Sequence, residues 1–264
     1  MMSVFAGKYK EFLKLYYYIG GMPEAVQTYL DTKNFASVRT VQKQLLLYYA
    51  GDFSKHAPET GIQRINQVWN SIPEQLAKEN RKFIFGLVRD GGRAKDFELA
   101  VQWLHDCGLI YTVSRVTVPK IPLVSYKEMN VFRIFLHDVG LLAAMGDLDT
   151  KSLIDGNRIF TEFKGALTEQ FVAQELIAVD GLTPYYYSTN NSRGEINFLI
   201  QKNGDVIPIE VKAEENLRAK SLRAYCEKYS PKTAIRTSMS NYRKEEWMTN
   251  IPLYALAEAL GPEM

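Results

Sequence analysis

A short hairpin signal in the C-terminal third constrains the fold of this chain more than any other feature. Two segments of alternating polarity, EINFLIQK and VIPIEVK, flank the dipeptide Asn203-Gly204. Asn-Gly is the strongest short signal for a two-residue β-turn, because both turn positions require positive φ. Such a turn fixes the register of its strands, so we expect Lys202 to pair with Asp205 in an antiparallel ladder.

The predicted register collects four polar side chains on one face of the hairpin. It places Asn197 opposite Glu210, and Glu195 opposite Lys212. Side chains alternate across a sheet, so the residues between them cover the other face. The apolar residues of that other face are Ile196, Phe198, Ile200, Ile207, Ile209 and Val211. The polar residues are therefore predicted to be neighbours.

Two interpretations of this polar face stay open. One is a solvent-exposed surface with an ion pair between Glu195 and Lys212, which stabilises a sheet by about 0.2 to 1 kcal/mol. The other is a hydrolytic site, in which carboxylate oxygens hold Mg²⁺ and a lysine positions the attacking water. The triplet Glu210-Val211-Lys212 supplies one carboxylate and the lysine. An ExK triplet occurs by chance in many strands, so the spacing alone does not separate the two.

The rest of the chain divides into segments of different pattern. Apolar residues at helical spacing predict a helical region over residues 1–60. Residues 61–125 show the order helix, short helix, helix and strand pair, which is the order of a winged helix. Residues 126–157 are predicted as a connector, and residues 158–264 as an α/β domain that contains the hairpin. The predicted fold class is α+β, with a helical, winged-helix-like part preceding the α/β domain.

Composition argues against several classes of protein. The chain has 32 basic and 30 acidic residues, and its net charge of +2 is too small to indicate a nucleic-acid partner by itself. The two cysteines lie far apart in the sequence, which gives no basis for a disulfide framework. No apolar run approaches the length of a bilayer span. We therefore expect a cytoplasmic protein that does not associate with a membrane.

A local excess of positive charge follows the hairpin. Between Arg218 and Lys244 the sequence contains eight basic residues and one acidic residue, interleaved with tyrosines. Such a stretch suits a surface that follows a nucleic-acid backbone, with stacking on the aromatic rings. We predict that Arg218, Lys220 and Arg223 contact phosphates. The other interpretation is a solvated helix face whose charge is balanced by flanking glutamates.

Several segments of the chain together resemble a known family. They are GGMPEAVQTYL, RINQVWNSIPEQLAKENRKFIF, FKGALTEQFVAQEL, GEINFLI, IPIEVKAEENLRAKSLRAY and NIPLYAL. These segments are similar to the C-terminal portion of prokaryotic AAA-type ATPases that end in a restriction-endonuclease-like domain of unknown function. The resemblance implies a PD-(D/E)XK fold for residues 158–264. The motif GxxxxGK[ST] does not occur in this sequence, so we expect no ATP site and no ATPase activity in this chain.

The resemblance also assigns the residues of a nuclease-like site. It places a helix acid at Glu169, the central aspartate position at Asn197, and the ExK pair at Glu210 and Lys212. Glu169 and Glu210 would hold Mg²⁺, the one cofactor that the resemblance implies. Asn197 offers a neutral oxygen where the family has a carboxylate. We therefore expect weak Mg²⁺ binding and doubtful nuclease activity.

Three functions are consistent with these expectations. The first is an accessory region of an AAA-type ATPase, with a degenerate, inactive nuclease-like site, that acts on DNA or on protein partners. The protein partners would be an ATPase domain or homologous subunits. The second is an active Mg²⁺-dependent nuclease, and the third is a protein-interaction module without catalysis. The residue at position 197 separates the first from the second, and salt-dependent DNA binding separates the first from the third.

Overall fold

The computed structural model describes residues 2–78, 81–149, 160–189, 194–214 and 219–261. The chain divides into two compact units, each assembled from separate stretches of sequence. The first unit comprises residues 1–11, 113–132 and 171–264, and the second comprises residues 12–112 and 133–170. The boundaries of these units differ from those of the four segments predicted above.

The predicted helical pattern of the N-terminal half is confirmed. The helices there are α1 (Met2–Ile19), α2 (Pro23–Thr32), α3 (Phe35–His56), α4 (Ile62–Ala77), α5 (Phe85–Val88), α6 (Ala94–Asp106) and α7 (Val139–Met145). At the starts of α3 and α7, the side chain of the N-cap residue accepts hydrogen bonds from backbone amides of the helix. Asn34 accepts hydrogen bonds from the first backbone amides of α3, and Asp138 accepts one from Leu141 at the start of α7, as its position before an apolar run indicates.

In the described part of the chain, eight strands form one mixed sheet. The strands are β1 (Ile110–Val116), β2 (Lys127–Leu136), β3 (Tyr185–Ser188), β4 (Glu195–Lys202), β5 (Asp205–Val211), β6 (Ile235–Ser238), β7 (Arg243–Lys244) and β8 (Thr249–Pro252). Their order in the sheet is β2-β1-β3-β4-β5-β6-β8-β7. The helices of the C-terminal half are α8 (Phe160–Ala178), α9 (Lys220–Tyr229) and α10 (Leu256–Leu260). Short 3-10 turns cover Leu123–Tyr126 and Leu253–Ala255.

The strand pair that was assigned to a winged helix belongs to this sheet. The order α4, α5, α6, β1, β2 agrees with the prediction, but β1 pairs in parallel with β3 through Arg115 and Val116. The boundaries between the compact units run through β1 and β2 for this reason. The structure therefore has the predicted mixed α+β class, with a helical N-terminal part. The winged-helix and PD-(D/E)XK folds remain predictions.

The predicted hairpin is confirmed at its turn. Asn203 and Gly204 have φ values of 51° and 71°, as a turn with two positive-φ positions requires. The ladder between β4 and β5 begins at the pair Lys202 and Asp205. It continues through the pair Phe198 and Ile209, which is one step before the predicted Asn197–Glu210 pair.

A β-bulge in β4 changes the predicted alternation beyond that point. Tyr185 pairs with Leu199, whereas Tyr187 pairs with Ile196, so β4 carries one extra residue relative to β3. As a result, Ile196 and Leu199 belong to the same apolar cluster, although strict alternation would place them on opposite faces. The predicted grouping of Ile196 with Phe198 and Ile200 is therefore wrong.

The apolar cluster of the first unit brings α9 together with β3, β4 and β5. Its members are Val116, Leu123, Tyr185, Tyr187, Ile196, Leu199, Val206, Ala219, Leu222, Tyr225, Ala234 and Met248. Leu222 and Tyr225 come from the buried face of α9. The cluster thus holds α9 near the strands that carry Asn197 and Glu210. Within the described ranges, no helix has both the length and the apolar character that a membrane span requires.

Candidate nuclease-like site

The structure brings Glu210 and Lys212, the outer residues of the ExK triplet, together at the end of β5. Lys212 Nζ lies 2.7 Å from Glu210 Oε1, the distance of a charge-assisted hydrogen bond. The Glu210 side chain is 5% exposed, whereas the Lys212 side chain is 35% exposed. Lys212 directly follows Val211, the last residue of β5. One partner of the ion pair is therefore buried and the other reaches solvent.

The second carboxylate oxygen of Glu210 has a different environment. Among the described residues, Glu210 Oε2 is buried without a hydrogen-bond partner. A buried acceptor without a partner costs about 1 to 3 kcal/mol, and more when it is charged. This oxygen is therefore the point of the site best able to accept a proton donor or a cation.

A buried polar network on β6 and β8 lies beside Glu210. Arg236 is the register partner of Glu210, and its Nε donates to Asn250 Oδ1 over 2.9 Å. Ser238 Oγ donates to the same oxygen over 2.8 Å. Burial lowers the pKa of the Arg236 guanidinium, and the negative charges of Glu245 and Glu210 oppose that shift. Arg236 is thus part of the interior.

This network was not predicted from the sequence, in which Arg236 is one of the eight basic residues between Arg218 and Lys244. A signal was present, since Arg236 is the only charged residue of the predicted strand segment TAIRTS. A charged residue at such a position is expected to be buried with partners.

Asn197 uses its side chain to connect the two strands of the hairpin. Its Oδ1 accepts a hydrogen bond from the backbone N–H of Val211 over 2.9 Å. Val211 lies one residue beyond Glu210, in the stretch where the ladder between β4 and β5 has ended. The oxygen predicted to bind a metal therefore already receives a backbone amide.

Glu169 lies in the second compact unit and contacts two arginines. Its Oε1 forms an ion pair with Nη1 of Arg81, and its Oε2 lies 3.3 Å from Nη1 of Arg133. The Arg133 side chain is fully buried, and that of Glu169 nearly so. Gly165, one turn earlier in α8, leaves room for this arrangement, because a Cβ there would lie 2.9 Å from Arg81 Nη2. Each oxygen of Glu169 thus faces a guanidinium group.

Neither arginine was predicted as a partner of this acid. Arg133 has a related signal, since it is the one charged residue of the apolar strand segment VFRIFL. Arg81 stands in the polar stretch KENRK. Its role depends on tertiary packing, which the local sequence does not indicate.

The residues described by the structure do not fit the Mg²⁺ site that the resemblance implies. Mg²⁺ requires several oxygen ligands in near-octahedral geometry. Asn197 Oδ1 is engaged by Val211, and both oxygens of Glu169 face arginines. Within the described ranges, no three His, Cys, Asp or Glu side chains are grouped so that they could hold a metal ion. Of these three predicted ligands, Glu210 keeps a carboxylate oxygen that has no partner among the described residues.

The predicted phosphate-contacting residues lie on or next to α9. Lys220 is the exposed first residue of the helix. Arg223 is also exposed, and its Nε lies 3.4 Å from Glu227 Oε1. Arg218 lies outside the described residues. The structure therefore places Lys220 and Arg223 at exposed positions of one helix, and their contact with phosphates stays a prediction.

The tyrosines of the basic stretch differ in how accessible they are. Tyr225 is buried, and it packs with Tyr187 and Tyr229, whose hydroxyl groups lie 2.8 Å apart. Tyr242 is 56% exposed. Tyr225 and Tyr229 therefore contribute to the core around α9, and Tyr242 is the ring that is open to a ligand.

These features define a mixed α+β protein whose C-terminal sheet carries a polar ExK hairpin. Two domains of unknown function cover the chain: residues 10–152 match DUF8612, and residues 164–256 match DUF4143. The first match extends over more than half of the chain, so the chain belongs to the DUF8612 family. No curated protein and no solved structure is significantly similar to it.

Proposed function

We propose that this chain is a non-catalytic accessory region of an AAA-type ATPase. Two observations support the association. The segments of residues 158–264 resemble the C-terminal domain of such ATPases, and the DUF4143 match covers most of the same region. In this proposal the C-terminal domain keeps the hairpin of a nuclease-like site but does not cleave DNA.

The hydrogen bond between Asn197 and Val211 carries the proposal. A metal ligand at position 197 would need a free, preferably negative, oxygen, whereas Asn197 Oδ1 is neutral and accepts a backbone amide. This hydrogen bond also connects β4 and β5 beyond the pair Phe198 and Ile209, where their ladder has ended. Asn197 therefore has a structural role that accounts for its position without catalysis.

An active nuclease is the second candidate, and one observation favours it. Glu210 Oε2 is buried without a partner in the described part of the chain, and Lys212 lies 2.7 Å from the other oxygen. A buried carboxylate beside a lysine is an arrangement that can orient a water for hydrolysis.

Cleavage of DNA distinguishes the two candidates. The full chain is incubated with supercoiled plasmid and with single-stranded circular DNA in Mg²⁺ or Mn²⁺, beside the variants Glu210→Gln and Lys212→Gln. The proposal expects the wild type and both variants to produce no more nicked DNA than buffer does. Nicking by the wild type that both variants abolish would establish the active nuclease instead.

A further inference from the structure

A polar pocket lies at the C-terminal end of α9, away from the ExK triplet in sequence. Its volume is about 450 Å³, within the range of about 300 to 1,000 Å³ that small-molecule sites occupy. Lys232 follows the end of α9, and Lys244 and Trp247 come from the segment that includes β7 and precedes β8. The half-buried thiol of Cys226 also lines it. The pocket thus combines two lysines with an aromatic ring.

The charges around this pocket favour an anion. Lys232 and Lys244 are both exposed. Of the two acids in the lining, Glu245 forms an ion pair with Arg243 over 3.3 Å, and Glu246 is exposed. Over the described residues 219–246, six basic side chains are exposed, against three acidic ones that are exposed or half-buried. A phosphate group would therefore meet a positive surface.

Trp247 supplies the second recognition element. Its ring is half-buried, and the Arg223 guanidinium lies 5.7 Å from the ring centroid. Planar guanidinium and indole groups both stack with nucleobases. Arg223 thus lies over one face of the Trp247 ring, and these two groups form a stacking platform beside the pocket.

We infer that this pocket binds one nucleotide, with its base on the Trp247–Arg223 platform and its phosphate at Lys232 and Lys244. The nucleotide belongs to a single strand, because the exposed basic residues Lys220 and Lys228 continue the positive surface along α9 beyond the pocket. A free mononucleotide offers the same chemistry and is tested separately. The inference goes beyond the proposed accessory function and does not depend on whether the ExK hairpin cleaves DNA.

Binding of a fluorescent single-stranded decanucleotide to the full chain provides the first test. The double variant Lys232→Gln/Lys244→Gln should lower the slope of log Kd against log salt by about 0.7, since the two lysines hold one phosphate and each neutralised phosphate contributes about 0.7 for single strands. Trp247→Ala should weaken binding about tenfold. Lys127→Gln, at an exposed lysine of β2 in the same unit, is the matched control and should leave both quantities unchanged.

Alkylation of the two cysteines provides a second test that reports the location of the ligand. Cys226 lines the pocket, and Cys107 is exposed on the segment that follows α6. The oligonucleotide should slow the reaction of Cys226 with iodoacetamide, measured by mass spectrometry, and leave the rate at Cys107 unchanged. The same experiment with AMP and dTMP tests the free nucleotide, and protection by either supports the pocket.

Three results would overturn the inference. One is the absence of binding by the oligonucleotide and by both mononucleotides. Another is equal binding by Lys232→Gln/Lys244→Gln and by Lys127→Gln. The third is oligonucleotide binding that leaves the alkylation rate of Cys226 unchanged. None of these results concerns DNA cleavage, so the failure of this inference is distinguishable from the failure of the proposed function.

Discussion

The side-chain oxygen of Asn197 accepts a hydrogen bond from the backbone amide of Val211 over 2.9 Å. The bond joins β4 to β5 just beyond their last register pair, where a bulge has shifted β4 by one residue against β3. A position that the resemblance assigns to a metal ligand thus holds two strands together. The same contact bridges the strands where their ladder has ended and occupies an oxygen that a metal ion would need.

Removing this bond should destabilise the protein. Asn197→Ala leaves the buried Val211 N–H without its acceptor, which should lower the free energy of unfolding by about 1 to 3 kcal/mol. Asn197→Asp keeps an acceptor oxygen and should cost less. Urea denaturation followed by circular dichroism measures both, with the exposed Asn130→Ala as control. Equal unfolding midpoints for Asn197→Ala and Asn130→Ala would show that the bond contributes nothing.

The buried carboxylate of Glu169 should matter more for stability than an exposed one. Glu169→Gln leaves the guanidinium groups of Arg81 and Arg133 without the charge that faces them, and breaking a buried pair costs about 3 to 5 kcal/mol. Glu227→Gln removes an exposed pair with Arg223 and should cost less than about 1 kcal/mol. The comparison uses thermal and urea unfolding of the full chain. A loss below 1 kcal/mol for Glu169→Gln would contradict the assignment of Glu169 to a structural ion cluster.

The hairpin shows which parts of this fold can be predicted from sequence. The turn at Asn203 and Gly204 and the first pairs of the ladder were predictable, because the turn chemistry is local and a two-residue turn fixes the register of the strands beside it. The bulge was not, since EINF alternates up to Phe198, and the apolar run from Phe198 to Ile200 that interrupts the pattern does not say which residue is extra. Its position depends on β3, whose pairing is set by tertiary packing.

The candidate site was predictable only in part for a related reason. The closeness of Glu210 and Lys212 follows from their spacing on one strand. The partners of Glu169 come from residues 81 and 133, which are distant in the sequence. An ion cluster of this kind depends on how separate segments pack, so the residues near Glu169 in the sequence do not reveal it.

The buried carboxylate of Asp138 should make stability depend on pH. Burial raises its pKa above the ordinary value of 3.8, although the backbone amides of Gly21 and Leu141 donate to it and oppose that shift. The folded state therefore holds the proton to a higher pH than the unfolded state does. The contribution of Asp138 to stability accordingly falls as pH rises from about 4 through the raised pKa.

Asp138→Asn tests this pH dependence, because asparagine also caps a helix but has no charge to bury. The stability of Asp138→Asn relative to wild type should increase between pH 4 and pH 7. Urea denaturation at the two pH values measures the difference. A relative stability that stays constant or decreases over this range would show that Asp138 is not the group responsible.

The chain should not hydrolyse ATP. Its sequence has no GxxxxGK[ST] motif, whose backbone amides and lysine would hold the phosphates. Phosphate release by the purified chain, followed with a colorimetric assay, should equal that of buffer with or without Mg²⁺. Turnover that persists through further purification and co-elutes with the protein would refute this expectation.

Calorimetric titration of Mn²⁺ into wild type and Asn197→Asp tests the central claim most directly. The account predicts that wild type shows no saturable binding and is indistinguishable from Glu210→Gln. Asn197→Asp should show saturable Mn²⁺ binding, because it adds a negative oxygen beside the strand that carries Glu210, and the double variant with Glu210→Gln should lose that binding. Wild-type binding as tight as that of Asn197→Asp and dependent on Glu210 would contradict the account, because the site would then hold metal with asparagine in place.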